Sequence, residues 1–194
     1  MGQSPWIKLL ILFTVVFTIV GVSFVFIVLH HEDGDNRIAF SLTNQNGERV
    51  TQKDLSGKSL LVFFGFTSCH DICPTQMSRL TNLMNALDQS GHGQRVTPVF
   101  ISVDPERDTV EKIALYLGSF HKDFVGLTGT RTALKSTADR FKTLLALVPE
   151  DATPGYQLAH SSIVYLVDPY SRVVDFIALA EPMEVMVKRI HNLI

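Results

Sequence analysis

Cysteine is scarce in this sequence: there are two in 194 residues, Cys69 and Cys73, both in one short stretch. A bridge between them would close a very short loop and stabilise the fold only modestly, so a structural staple is the weaker use for the pair. Charge is scarce in a second sense. Lys and Arg number 17 against 19 Asp and Glu, for a formal net charge of −2, which argues against nucleic acid, a ligand that wants a basic face. Internal repeats and low-complexity tracts are absent, and no linker is visible beyond residues 30–37.

The N-terminal region lacks charge almost entirely. Between Trp6 and Leu29 the single charged residue is Lys8, and Leu9 to Leu29 is uncharged and mostly apolar. That run matches the roughly 20 residues a membrane-spanning helix needs. A cleaved signal peptide has a shorter apolar core and a small-residue cleavage site. Here the run ends in Ile27-Val28-Leu29-His30-His31-Glu32-Asp33, with no Ala-x-Ala pattern and no cysteine for a lipid anchor. A retained anchor at 9–29 is therefore expected, behind a short N-terminus at 1–8 and ahead of a linker at 30–37. Lys8 precedes the run and Glu32, Asp33 and Asp35 follow it, so the positive-inside tendency exports residues 38–194. The short leader fits a bacterial inner membrane, single-pass, with the C-terminal domain in the periplasm.

Within 38–194 the apolar runs Leu60-Leu61-Val62-Phe63-Phe64 and Val96 to Val103 read as buried strands. Asn46-Gly47 marks a hairpin. Met77, Leu80, Leu83, Met84 and Leu87 recur at helical spacing, as do Val110, Ile113, Ala114, Leu117 and Phe120. A third helix is expected over 131–142, a strand pair around Asp168-Pro169-Tyr170-Ser171, and a last helix burying Met183, Met186 and Ile190. Residues 126–130 and 149–155 read as loops. Asp108, with Glu111 three residues on, resembles a capping box. The element order gives an α/β fold with a mixed central sheet flanked by helices.

Cys69 and Cys73 sit between the first buried strand and a helix expected to open at Pro74. Unpaired N–H groups at a helix start favour anions, so Cys73 is expected at the cap and expected to ionise more readily than a free thiol. The spacing has three intervening residues, one more than the redox Cys-x-x-Cys. It permits either a dithiol or a clamp on a soft metal. Two thiolates alone make a poor closed site, and histidine is the natural third ligand. His30 and His31 lie beside the apolar run, His92 in a Gly-His-Gly loop, His121 at a helix end and His191 on the terminal helix. His160 differs, because it directly precedes the strand beginning at Ser161. His70 lies inside the cysteine turn. Thr67, close to Cys69, gives slight support to a thiol peroxidase.

The run Gly65-Phe66-Thr67-x-Cys69-x-Asp71-Ile72-Cys73-Pro74, then Phe100 to Thr109, Gly126 to Thr130 and His160-Ser161, closely resembles the Sco/SenC copper chaperones. These are membrane-anchored, thioredoxin-like proteins that help to build the binuclear copper centre of cytochrome c oxidase. The resemblance implies that Cys69, Cys73 and His160 bind one copper, as Cu(I) or Cu(II), and that the chain is a metallochaperone rather than a turnover enzyme. It also implies a copper-receiving oxidase subunit, a copper donor and a periplasmic thiol reductant as partners. Soft thiolates suit Cu(I), and divalent copper heads the affinity order for nitrogen and sulfur sites. Two positions depart from the family pattern: His70 stands where proline is usual, and Ala159 where an aspartate often precedes the histidine. The reading from a different class is a membrane-tethered thiol–disulfide oxidoreductase using Cys69 and Cys73 alone.

Overall fold

The computed structural model describes residues 5–29, 37–69, 72–143 and 163–194. The chain divides into two compact units, Met1–Asn36 and Arg37–Ile194. The first contains one helix, α1, Pro5–Leu29. At 1.5 Å per residue its 25 residues extend about 37 Å. Phe13, Val16, Phe17, Ile19, Val20 and Val22 are all exposed. Counted over the described residues alone, no helix is long and apolar enough to cross a membrane. The expectation for 9–29 is met as to helical conformation, and a membrane span is not shown among the described residues.

The second unit opens with a hairpin, β1 (Ser41–Asn44) and β2 (Arg49–Thr51). The Asn44 side chain accepts from the N–H groups of Asn46 and Glu48, and Gly47 takes φ +82°, which glycine adopts without a Cβ penalty. There follow β3 (Ser59–Gly65), α2 (Ile72–Gln89), β4 (Val96–Ser102), α3 (Val110–Leu117), β5 (Val125–Thr128), α4 (Arg131–Arg140), β6 (Ile163–Val167), β7 (Val173–Ala178) and α5 (Met183–His191). The seven strands form one sheet in the order β2-β1-β5-β4-β3-β6-β7. β3, β4 and β5 run parallel; β1, β6 and β7 pair antiparallel to their neighbours. The sheet is mixed, as expected.

β3 is buried along its whole length, which is why it reads as a continuous apolar run and not as an alternation. Its side chains still divide between two faces. Phe63 packs beside Phe100 on the face that carries Cys73 and Tyr116. Phe64 points the other way, edge-on to Phe141 and Tyr165. The helical stripe Met77, Leu80, Leu83, Met84 and Leu87 is fully buried, and so are Met186 and Ile190 of α5, which packs against α2.

Two expectations are corrected here. Residues 125–128 form a strand where a loop was expected, and α3 begins behind Thr109, whose hydroxyl accepts from the N–H of Lys112. Thr109 is therefore the N-cap and Asp108 is not. Gly126 explains much of the first miss. A Cβ there would lie 2.4 Å from Ile113 Cγ2 and 2.5 Å from Leu117 Cδ1, so a residue that weakens the strand signal is the one that lets α3 lie close on the sheet. Substituting Gly126→Ala is expected to destabilise the unit by about 1–3 kcal/mol through overpacking. Urea unfolding should show a lower midpoint at unchanged slope, and an unchanged midpoint would mean α3 repacks without cost.

Candidate functional site

β3 ends at Gly65 and β4 at Ser102, and the two residues are register partners at the carboxyl edge of the parallel strands. Sites in such sheets form beyond that edge. The chain leaving β3 turns at once. The N–H of Cys69 donates to the carbonyl of Phe66 at 3.4 Å, and Phe66 is buried. Helix α2 begins at Ile72, so Cys73 lies inside its first turn and Pro74 one position further on. Proline is tolerated there because the first N–H groups of a helix have no intrahelical partner. Cys73 is thus helical, and not the cap residue that the sequence suggested.

The capping role passes to sulfur. Cys69 Sγ accepts from the N–H of Cys73 at 3.4 Å, the geometry of a side-chain acceptor on an orphan helix donor. Both cysteines are buried thiols, Cys69 9 % exposed and Cys73 fully enclosed. Gly65 makes that enclosure feasible: a Cβ at this position would sit 2.9 Å from Phe100 Cε2 and 3.4 Å from Cys73 Sγ. Burial pushes the Cys73 thiol up from an ordinary 9.0 to about 12, against a smaller opposing pull from the Phe66 backbone. This reverses the expectation that Cys73 ionises readily. The helix-end field is real, but desolvation of the thiolate outweighs it.

A carboxylate stands behind the turn. Asp108 is 1 % exposed. It accepts from the Thr67 hydroxyl at 2.6 Å, from the Thr67 N–H at 3.1 and 3.2 Å, and from the Ser102 hydroxyl at 2.6 Å. Burial raises its pKa, while the bonds from Ser102 and Thr67 oppose the rise. Asp104 is equally buried and pairs with the Nε of Arg107, whose guanidinium lies 5.8 Å from the Phe66 ring centroid. Tyr116, packed on Phe100 and Phe120, carries a buried hydroxyl with no hydrogen-bond partner among the described residues. Burial raises its pKa, and the nearby Cys73, Cys69 and Asp108 add to the effect.

Of the residues singled out from sequence, Cys69 and Cys73 come together at the strand–helix junction. His160 and His70 lie outside the described residues. β6 enters the sheet at Ile163, and Val164 is the antiparallel partner of Phe63, so this strand starts at the same edge from which β3 delivers the cysteines. The other described histidines are elsewhere. His121 Nε2 lies 3.1 Å from Asp88, at the far end of α2, and the His92 and His191 rings pack 4.3 Å apart. Met186 is buried in the core. Thr67 gives a peroxidase no support, because its hydroxyl is committed to Asp108.

Ser102 and Tyr116 are site neighbours that the sequence does not reveal, and for Asp108 the sequence favours a helix cap over a role at the site. One signal was available for Asp108. In Asp108-Thr109 two cap-competent residues are adjacent, and Val110 as the first helical residue leaves the cap to Thr109 and the carboxylate for another partner.

A SCO1/SenC family model matches residues 30–194. A SCO2-like protein of Rickettsia felis is 41 % identical over 149 residues, spanning 76 % of this chain and 72 % of its own. The crystal structure of Arabidopsis thaliana ScoI with copper bound superposes with a TM-score of 0.72 at 36 % identity, over 80 % of this chain and 96 % of that one. BsSco, a member of the Sco family of cytochrome c oxidase assembly proteins in which a disulfide switch was identified, superposes at 0.67 with 26 % identity, over 83 % of this chain and 95 % of that one. With a thioredoxin-like sheet, two buried thiols where β3 meets α2, and a family match running from residue 30 to the last residue, this chain belongs to the SCO1/SenC family.

Proposed function

We propose that this protein is a membrane-anchored copper metallochaperone that binds one copper through Cys69, Cys73 and His160 and assists assembly of the copper centre of cytochrome c oxidase. The observation that carries the reading is the thiol pair. Two buried sulfurs flank a helix start at the open edge of the sheet, in a chain whose relatives include a ScoI solved with copper bound. Thiolates are the ligands that select Cu(I). His160 lies three residues before Ile163, and three residues of chain span at most about 10 Å, so an imidazole at that point of the sequence is within reach of the edge. Three protein ligands leave an open position through which a receiving protein's ligand can enter.

Copper is cargo, and loading it displaces protons. Cys73 holds its proton up to about pH 12 when no metal is present, so binding across the neutral range releases it. The sign follows directly. The metal-free form carries the proton and the loaded form does not, so raising pH favours loading.

The oxidoreductase reading is weaker on the same observation. The attacking species in thiol–disulfide exchange is a thiolate. An enclosed Cys73 held protonated is poorly placed for that step, which leaves Cys69 as the attacking sulfur.

The anchor at 9–29, the bacterial inner membrane and a periplasmic site for 38–194 complete the proposal, on the strength of the uncharged run and the charges at its two ends. A periplasmic thiol reductant and a copper donor would serve the exported pair.

Three outcomes are expected. His160→Ala should lose tight Cu(I) binding while dithiol exchange with a model disulfide continues; unchanged copper affinity would rule out the three-ligand site. Apparent copper affinity of the wild type should rise with pH through neutrality, by about tenfold per unit for each proton displaced, and a flat profile would mean Cys73 is already ionised. The full chain should stay in the membrane pellet through an alkaline carbonate wash, and release of the intact chain to the supernatant would remove the anchor.

A further inference from the structure

The two sulfurs are held by different means. Cys73 is fixed by its helix and by its enclosure beside Gly65, where even an added Cβ would lie 3.4 Å from its sulfur. Cys69 lies in the irregular chain between β3 and α2, and two residues before it Thr67 is bound by Asp108. We infer that Asp108 is a positioning residue for the cysteine turn: by clamping Thr67 it fixes where Cys69 Sγ stands relative to Cys73 Sγ, and so sets the affinity of the pair for copper.

The bonding around Asp108 supports this more specifically than a general stabilising role. Its carboxylate gathers three donor groups, the Thr67 N–H, the Thr67 hydroxyl and the Ser102 hydroxyl. Its own N–H donates to the Asp104 carbonyl at 2.9 Å, and its carbonyl accepts from the Thr128 hydroxyl at 3.2 Å. The residue is therefore immobilised from three strands' ends, those of β3, β4 and β5. Only the β3 side leads to a candidate ligand. The Ser102 hydroxyl also accepts from the Asp104 N–H, so its proton is directed at Asp108.

Asp108 carries no helix cap that would account for it, since Thr109 has that place. A buried carboxylate is costly unless every lone-pair direction is used, and here it is spent on the turn that bears Cys69. An amide in its place would present an NH2 group to one of the donors, and Thr67 or Ser102 would lose its acceptor. Outer-shell partners of metal ligands act this way, and removing one typically weakens binding by about 10–100-fold.

This inference rests on the copper reading, and the experiment separates the two. The full-length protein is reduced, loaded with Cu(I) and competed against a chromogenic Cu(I) chelator. Wild type, Asp108→Asn, Thr67→Val, the double variant and Ile190→Val are compared, with thermal unfolding and the alkylation rate of Cys69 read by mass spectrometry alongside. Asp108→Asn and Thr67→Val should each weaken Cu(I) binding by about 10–100-fold. The double variant should be no weaker than the worse single, because both remove one linkage.

Ile190→Val, in the core contact of α5, should lower the unfolding temperature and leave copper affinity unchanged. Should Asp108→Asn fail to fold, Thr67→Val carries the same expectation. Unchanged affinity in the folded single variants, or additive losses in the double, would overturn the positioning role. If the wild type itself binds no copper, the copper reading fails, and the clamp is judged by Cys69 alkylation: faster in both single variants if it holds the turn, unchanged if it does not.

Discussion

Enclosing a sulfur at the first turn of a helix is the constraint from which the rest of this site follows. Cys73 has essentially no contact with solvent. To put it there, the chain needs Gly65 without a side chain, Phe63 and Phe100 in register on the same face, and α2 starting early enough to carry the sulfur inward. Two opposing effects act on the enclosed thiol. A helix N-terminus is worth at most about 2 kcal/mol to a negative charge. Moving the thiol from 9.0 to about 12 corresponds to something on the order of 4 kcal/mol against the charge. Burial wins, and the metal-free site keeps the proton on Cys73.

That outcome separates the two chemistries open to a thiol pair. A redox dithiol works by presenting one reactive thiolate to solvent. Here even the more accessible sulfur, Cys69, is only 9 % exposed, while its partner is sealed and neutral. A metal changes the balance, because the cation replaces the proton and supplies the charge that burial otherwise penalises. The same burial that suppresses nucleophilic chemistry leaves coordination available, provided the two sulfurs are held at a fixed separation. The clamp on Thr67 supplies that rigidity on the one side that the helix does not.

Much of the fold was legible in the sequence. β3 and β4 show as apolar runs because parallel central strands are buried on both faces, and α2 shows as a periodic stripe because only one side of it is covered. β5 was not legible: it is four residues long and contains the glycine that α3 requires. The cysteine turn was legible from spacing alone. Its electrostatics were not, because a local rule about helix ends carries no information on how many apolar side chains close over the sulfur. Asp108 was misread for a related reason. Its local context offered a helix cap, while its partners Thr67 and Ser102 lie 41 and 6 positions away in the chain. His160 was singled out by its place before a strand, and it lies outside the described residues.

The polar groups near the sulfurs follow one logic. Asp104 and Asp108 are both fully buried, yet each is held by something specific: Asp104 by Arg107, which reaches over Phe66, and Asp108 by Thr67 and Ser102. Phe66 and Thr67 are consecutive residues of the turn, so the two carboxylates grip adjacent points of it, one through the guanidinium and one directly. Buried carboxylates add nothing to stability in themselves when apolar residues could fill the space. Their use here is better explained by what they hold. A turn that must keep a fixed separation between two sulfurs is held at Phe66 and Thr67 by groups anchored on Asp104 and Asp108.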